Sequence, residues 1–352
     1  MSWFSPGHLQ AATVLAIGVI LTLVLTPSPA GDRSQVRPAR APNPMHTQRG
    51  FALPAYSRDG YSSPEASRSL QQMASLGAEW VQIDPTWYQN QIHSSTIAAS
   101  AQSPSDGAVE QVIVAAHTIG LKVLLKPLLD LLPDGSTYRG TVRPADRTAW
   151  FASYTAFIGH YATLAARLRV EELSVGTELA GVSQDRAAWL TVIETVRARY
   201  RGPLLYAANF DEYRRVAFWD ALDLIGIDSY WKLSERPTTD VAALEHAWRP
   251  IVAGLSAFAT QTGRGVLFTE AGYTSQRGTT TAPWSWTTSS TPDQAEQAAA
   301  YQALLASLDG RPWWAGVFWW AWDVPLAPAD SHSLGYTPHG KAAETVVRRW
   351  WS

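Results

Sequence analysis

The chain has 352 residues, of which 28 are basic and 30 acidic, so its formal net charge is −2 at pH 7. Such an even balance provides no field that would favour nucleic acid or an anionic membrane surface. The absence of cysteine excludes disulfides, thiolate metal sites and cysteine nucleophiles. Hydrophobic residues make up 46% of the chain and charged residues 16%, which excludes wholesale disorder and allows a large core.

Aromatic residues are unusually abundant, with 17 Trp, 13 Tyr and 9 Phe. A core needs few tryptophans. The excess indicates either a heavily aromatic core or a cleft lined with flat rings for sugars or other ring-shaped ligands.

The N-terminal region has a separate character. Residues 9–26 are apolar and uncharged, and as a helix they would extend roughly 27 Å, close to the thickness of a bilayer core. We predict that residues 1–30 are a signal peptide or an uncleaved signal anchor, and that the rest of the chain is extracytoplasmic. The alternative is a buried helix. Residues 31–48 are rich in Pro and Arg and are predicted to be a linker before one domain at residues 49–352.

From residue 50 onward, short apolar segments alternate with longer amphipathic ones. We predict strands over residues 50–56, 80–84, 122–127, 172–176, 204–209, 224–230, 266–270 and 316–322. We predict helices near residues 64–76, 105–119, 148–168, 185–200, 212–220, 241–262, 293–308 and 340–350.

Eight strand–helix units in this length predict an α/β protein with a single (β/α)8 barrel. Strands that are apolar on both faces fit a parallel sheet buried on both sides. The alternative is an open doubly wound sheet, which commonly carries a glycine-rich phosphate turn after its first strand. Residues 57–61 follow the first predicted strand here and contain no such turn.

Two glutamates occupy the ends of predicted strands that face each other across the barrel mouth. Glu178 follows the fourth strand, and Glu270 ends the seventh. Paired carboxyl groups over a central cleft are what glycosidic bond cleavage needs, one as a proton donor and the other as a nucleophile. The structural alternatives are an acidic residue at a helix start for Glu178 and an ion pair with an arginine for Glu270.

Several motifs resemble glycoside hydrolase family 113. They are Gly176–Leu179 (GTEL), Phe268–Tyr273 (FTEAGY), Gly316–Asp323 (GVFWWAWD), Tyr336–Ala342 (YTPHGKA), Leu125–Pro127 (LKP) and Ile227–Trp231 (IDSYW). The resemblance runs from about residue 50 to the end. It implies a retaining (β/α)8 glycosidase with Glu178 as acid/base and Glu270 as nucleophile. The characterised members of this family are mainly endo-acting β-1,4-mannanases. Most related families carry Asn before the acid/base, whereas this chain has Thr177.

Other residues are candidates for substrate binding. In those related families the Asn before the acid/base contacts the sugar 2-hydroxyl. With Thr177 this contact is expected to be weaker or to come from elsewhere, for example from Asn209 at the end of the fifth strand. Tyr230 could donate its hydroxyl to Glu270, although an ordinary core tyrosine is the alternative. Lys126 is expected to point into the cleft or to pair with an acid such as Asp84.

Three tryptophans are candidates for contacts with sugar rings. Strand alternation places Trp320 and Trp322 on one face, so that either could form the floor of a sugar subsite. Trp87 could be an outer platform or simply a packed loop residue. The loop after the seventh strand also carries Trp284 and Trp286.

The sequence therefore predicts a retaining β-glycoside hydrolase that acts on an oligo- or polysaccharide, most simply β-1,4-mannan or glucomannan. We expect no cofactor, no catalytic metal and no nucleic-acid partner, a monomeric state, and membrane contact only through the N-terminal segment. The alternatives are the same chemistry on another β-linked polymer, and a barrel that binds carbohydrate without catalysis.

Overall fold

The computed structural model describes residues 47–132, 138–324, 330 and 332–352. The predicted signal or anchor segment lies outside these residues, as does all of the predicted linker except its last two positions. Gln48, the last of them, already begins the first strand. Within the described ranges, no helix combines the length and apolar character that a membrane crossing requires.

Eight parallel strands close into a barrel, which confirms the predicted barrel core. With strands numbered in chain order, the closed order is β1-β10-β9-β8-β7-β6-β4-β2. The barrel strands are β1 (Gln48–Pro54), β2 (Trp80–Asp84), β4 (Lys122–Leu125), β6 (Glu172–Thr177), β7 (Leu204–Asn209), β8 (Leu224–Ser229), β9 (Val266–Ala271) and β10 (Trp314–Trp319).

Two further strands extend one wall of the barrel and were not predicted. β3 (Thr86–Gln89) and β5 (Leu128–Leu131) form a separate parallel pair just past the ends of β2 and β4. Pro85 and Pro127 separate each extension from its barrel strand, since proline cannot donate to a strand ladder. The two short strands therefore continue the direction of the second and third barrel strands beyond the mouth.

Seven α-helices surround the barrel in the described residues. They are α1 (Pro64–Ser75), α2 (Asp106–Thr118), α3 (Arg147–Leu168), α4 (Arg186–Arg197), α5 (Val241–Thr262), α6 (Gln294–Leu308) and α7 (Ala342–Trp351). The first six begin after a Ser or Asp whose side chain accepts a backbone N–H of the first turn, which is the usual N-cap.

The helix predicted near residues 212–220 is wrong. Turns follow β7 instead, and only a short 3-10 segment at Trp219–Ala221 remains. Glu212 turns inward, where its carboxylate accepts the Tyr206 hydroxyl at 2.8 Å. The Trp219 indole donates to the Tyr213 carbonyl at 2.8 Å, so that carbonyl is engaged outside any helical ladder.

The barrel interior is filled by side chains rather than open. Trp80, Leu124, Leu205, Leu267 and Phe318 belong to one buried cluster contributed by different strands. Gly50 lies directly against Phe318, and a Cβ at this position would be 2.4 Å from its ring. Any larger residue at position 50 would therefore displace that ring. Packing of this kind closes the barrel below the mouth and leaves the carboxyl ends of the strands as the place for a site.

Candidate active site

A cleft of about 970 Å³ opens at the carboxyl ends of the barrel strands. Both glutamates selected from the sequence line it, together with Asn209, Tyr230 and Trp320. These five residues come from the ends of five different strands. Parallel strands bring their carboxyl ends to one face of a barrel, which is why residues so distant in sequence meet here.

Glu178 is held by an unusual backbone conformation. Its φ is 53°, a left-handed value that is costly for a residue with a side chain. The β6–β7 register shifts between Ser174 and Thr177, and the Glu178 N–H donates to the Ala207 carbonyl at 2.8 Å. The next N–H, that of Leu179, donates to the Tyr206 hydroxyl at 2.7 Å. These contacts fix the turn that directs the Glu178 carboxyl into the cleft.

Two donors hold the carboxylate of Glu270. The Tyr230 hydroxyl donates to Oε2 at 2.7 Å, which is the contact predicted from the sequence. Lys126 Nζ donates a short hydrogen bond to Oε1. A hydroxyl and a cation on the two oxygens stabilise negative charge and fix the orientation of the group.

Lys126 is fully buried among three acids. Its Nζ lies 3.8 Å from both Asp84 Oδ1 and Asp228 Oδ1 in addition to its contact with Glu270. The expected pairing with Asp84 is therefore present. Although burial opposes the charged form of the amine, the carboxylates of Asp228, Glu270 and Asp84 raise the pKa of Lys126. Lys126 is thus placed to support Glu270 from below rather than to line the cleft.

The acids around this lysine are themselves anchored. Gln82 Nε2 donates to Asp84 Oδ1 at 2.8 Å, and Thr269 Oγ1 donates to Asp228 Oδ1 at 2.7 Å. Burial raises the pKa of Asp84 to about 7, against the opposing effect of Lys126. Burial also raises the pKa of Asp228 well above its usual range. The network therefore does not require every acid to carry charge at neutral pH.

Burial raises the pKa of Glu178 to about 7. The Arg139 guanidinium opposes this shift, and the nearby Glu270 carboxylate adds to it. Glu178 therefore carries a proton over much of the pH range in which an ordinary glutamate would have lost it. The cleft therefore contains a protonated carboxyl, that of Glu178, and a carboxylate held by two hydrogen-bond donors, that of Glu270.

Arg139 is a site residue that the sequence reasoning missed. Its Nη1 donates to Glu178 Oε2 at 3.1 Å, and its Nη2 reaches Asp130 Oδ2 at 3.4 Å. Asp130 lies on β5, one of the two unpredicted strands. The available signal was the long loop after the third predicted strand, in which Arg139 is one of three arginines.

The two tryptophans after β10 are not on one face, which corrects the strand-alternation prediction. Regular strand ends at Trp319, and the Trp320–Ala321 peptide is cis. Trp320 lines the cleft, with Lys126 Nζ 5.7 Å from its ring centre. Trp322 is fully buried in the main core, 5.0 Å from the ring of Phe51. A buried core ring of this kind does not reach the cleft, which removes Trp322 as a candidate sugar contact.

Of the two remaining candidates, Asn209 lines the cleft and Trp87 does not. Asn209 lines the cleft, donates to the Tyr138 hydroxyl, and leaves its buried Oδ1 without a partner. Trp87 packs on α3 against Phe157 and His160, with ring centres 5.3 and 5.5 Å away. Trp87 is therefore a packed residue outside the cleft lining. In the described part of the chain, no cluster of three or more His, Cys, Asp or Glu could hold a metal ion.

Three glycosidases are among the solved structures of similar fold. A GH113 β-1,4-mannanase, solved as a complex, is 25% identical, has a TM-score of 0.80, and the match covers 87% of this chain and 99% of that one. The GH113 β-mannanase from Alicyclobacillus acidocaldarius, in complex with ManMIm, is 29% identical with a TM-score of 0.79, covering 87% and 97%. A β-glucuronidase from Faecalibacterium prausnitzii, 16% identical with a TM-score of 0.58 over 87% and 48% of the chains, shares the fold alone. The fold and these relatives define the chain as a glycoside hydrolase.

The family follows from the sequence itself. The family model of Glycoside Hydrolase Family 113 matches residues 51–341, well over half of the chain. The protein therefore belongs to glycoside hydrolase family 113, as the motifs around Glu178 and Glu270 predicted. A comparison with curated proteins found no match.

Proposed function

We propose that this glycoside hydrolase cleaves β-1,4-linked mannan or glucomannan with retention of anomeric configuration. Glu270 is the nucleophile and Glu178 the acid/base. The mannan preference is supported by the family and by the two similar β-mannanases.

One observation carries the assignment of roles, namely the unequal environments of the two glutamates. Glu270 accepts hydrogen bonds from Tyr230 and from the buried cation of Lys126. Burial raises the pKa of Glu178 to about 7. A carboxylate held by two hydrogen-bond donors and a carboxyl whose pKa is raised by burial divide naturally into nucleophile and proton donor.

The reaction then has two steps. In the first, a Glu270 oxygen bonds to the anomeric carbon while the bond to the leaving oxygen breaks and Glu178 transfers its proton to that oxygen. In the second, the Glu178 carboxylate takes a proton from water. The water oxygen bonds to the anomeric carbon, and Glu270 leaves as a carboxylate.

Asn209 and Trp320 are proposed as sugar contacts beside the reacting bond. Asn209 faces the cleft with an unpartnered buried carbonyl oxygen, which a sugar hydroxyl could satisfy. Its amide is oriented by Tyr138. These properties suit it to supply the 2-hydroxyl contact that the Asn before the acid/base makes in most related families. Trp320 supplies a flat face beside Lys126 and Glu270.

Release of reducing sugar from a panel of β-linked polysaccharides tests the substrate class. Mannan or glucomannan should be the preferred substrate, and Glu270→Gln should be inactive on every member of the panel. Preference for another polymer would contradict the mannan assignment. Binding of polysaccharide without any release of reducing ends would favour a non-catalytic barrel.

The roles are tested by Glu178→Ala with an aryl glycoside. An activated leaving group needs no proton, so this variant should form the glycosyl-enzyme, and azide should accelerate the second step. Equal loss of activity on the aryl substrate and on the polymer, with no effect of azide, would contradict the role of Glu178 as acid/base.

We also propose that residues 9–26 direct the chain out of the cytoplasm, as a cleaved signal or as an anchor. The support is their apolar, uncharged sequence and the polar Pro- and Arg-rich stretch that follows. A chain that starts near Arg40 should then be soluble and active. An insoluble, inactive truncation would indicate that the apolar segment belongs to the fold.

A further inference from the structure

Two tryptophans on the loop after β9 expose large apolar surfaces. Trp284 is 51% exposed and Trp286 is 55% exposed, and both line the catalytic cleft. Exposed apolar surface beside a functional cleft marks a site of interaction more often than a defect of packing. Neither ring has a part in the two-step chemistry.

Both rings are held in fixed orientations. Trp284 stacks on Phe210, with ring centres 6.2 Å apart and planes inclined by 21°. Trp286 packs edge to face on Tyr336, with ring centres 4.6 Å apart. Gln276 Nε2 donates to the Trp286 carbonyl at 2.7 Å, which ties the backbone of the loop. The exposed faces are therefore preorganised, and a ligand would lose little free energy in ordering them.

Trp286 also lines a second cavity. This groove has a volume of about 450 Å³, and its wall includes Gln276, the exposed residues Thr287 and Ser290, and Gly335. Because Trp286 belongs to the walls of both cavities, the groove adjoins the catalytic cleft at this ring. An indole face next to hydroxyl groups suits a sugar, whose C–H face stacks on aromatic rings while its hydroxyls form hydrogen bonds.

We infer that the groove beyond Trp286 is a remote subsite for the same polysaccharide chain whose bond is cleaved between Glu178 and Glu270. Trp284 and Trp286 form the platform over which the chain passes from the cleft to the groove. The inference rests on the proposed function. It adds that the enzyme prefers long chains, because only these reach the groove while a bond lies at the glutamates.

The test compares kcat/KM on β-mannan and on β-1,4-manno-oligosaccharides of increasing length. Trp286→Ala should lower kcat/KM on the polymer by about tenfold more than on the shortest cleaved oligosaccharide. Trp286→Phe keeps a flat face and should retain most of the activity. Ser290→Trp should fill the groove and reproduce the chain-length dependence of Trp286→Ala without removing the platform.

Val114→Ala is a matched control, since Val114 is an exposed apolar residue on α2 outside both cavities. Thermal unfolding of each variant shows that it is folded. Folded Trp286→Ala and Ser290→Trp variants that cleave polymer as well as the parent would overturn the remote subsite, as would equal losses on short and long substrates. A parent enzyme that cleaves none of these β-mannosides would overturn the proposed mannan specificity, and with it this inference.

Discussion

Lys126 forms an ion pair with Glu270 across the barrel mouth, from the end of β4 to the end of β9. The same ammonium lies 3.8 Å from two further acids, Asp84 and Asp228. One buried cation thus balances the acids beneath the cleft, and only Glu270 among them is a reacting group in the proposed mechanism. We interpret Lys126 as a positioning residue that keeps Glu270 charged and oriented.

Lys126→Met tests this interpretation. Loss of a charged donor to the nucleophile should lower kcat by about 100-fold or more. Lys122→Met, at the exposed start of the same strand, is the matched control and should behave like the parent. An unchanged kcat in a folded Lys126→Met variant would assign the lysine to stability alone.

The fall of kcat/KM at high pH, the basic limb of the pH profile, should follow the loss of the proton from Glu178. Because its pKa is about 7, kcat/KM should fall as the pH rises through 7 and the proton donor is lost. Arg139 opposes the upward shift, so Arg139→Met should raise the pKa of Glu178 and move the basic limb to higher pH. Arg147→Met removes an exposed arginine that pairs with Asp185 and should leave the limb in place. A limb that moves to lower pH in Arg139→Met would contradict this account.

The two tryptophans after β10 should respond differently to truncation. Trp320→Ala should lower the kcat/KM of the folded enzyme by at least about tenfold, because its ring lines the cleft. Trp322→Ala should cost about 3–5 kcal/mol of unfolding free energy, because its ring is fully buried against Phe51. The folded fraction of Trp322→Ala should keep its specific activity. A loss of specific activity in Trp322→Ala but not in Trp320→Ala would mean that Trp322, and not Trp320, contacts the substrate.

A buried acid inside the barrel provides a test that does not involve catalysis. Glu172 on β6 accepts Gln48 Nε2 at 2.6 Å, and burial raises its pKa from 4.5 to about 7. The protonated form of Glu172 therefore stabilises the folded protein. This contribution is fully present below pH 4.5 and is lost as the pH rises through 7. Glu172→Gln has no such loss, so its unfolding free energy relative to the parent should increase by about 3 kcal/mol between pH 4.5 and pH 8.

Chemical unfolding at several pH values measures this difference. Glu110→Gln is the control, since the Arg167 hydrogen bond holds the pKa of this exposed carboxyl below its usual range. It should show no comparable rise with pH. A constant difference between Glu172→Gln and the parent would mean that Glu172 does not titrate over this range.

Alternation of strand and helix patterns was sufficient to predict the barrel, because each barrel strand is a short apolar run between amphipathic segments. The bounds of β2 and β7 agree with the prediction to the residue. Barrel geometry then placed Glu178 and Glu270 in one cleft. By contrast, β3 and β5 have four residues each and follow a proline, so no periodicity identifies them.

Contacts made outside regular elements could not be predicted in this way. Arg139 contacts Glu178 from a long loop. A loop has no periodic pattern in its sequence from which the direction of a side chain could be predicted. The rings of Trp320 and Trp322 diverge because the strand ends at Trp319, whereas alternation was extrapolated through them. The pairing of Lys126 with Asp84 was predictable, because a buried cation requires a buried acid and the neighbouring strand supplied one.

The most direct test of the central claim is covalent trapping of the nucleophile. A fluorinated glycosyl fluoride of the mannose series should react once with the folded enzyme, and peptide mapping should place the added mass on Glu270. The Glu270→Gln variant should remain unlabelled, while Tyr230→Phe should label more slowly because one donor to the carboxylate is missing. Label on another residue, or an active enzyme that is never labelled, would contradict a retaining mechanism with Glu270 as the nucleophile.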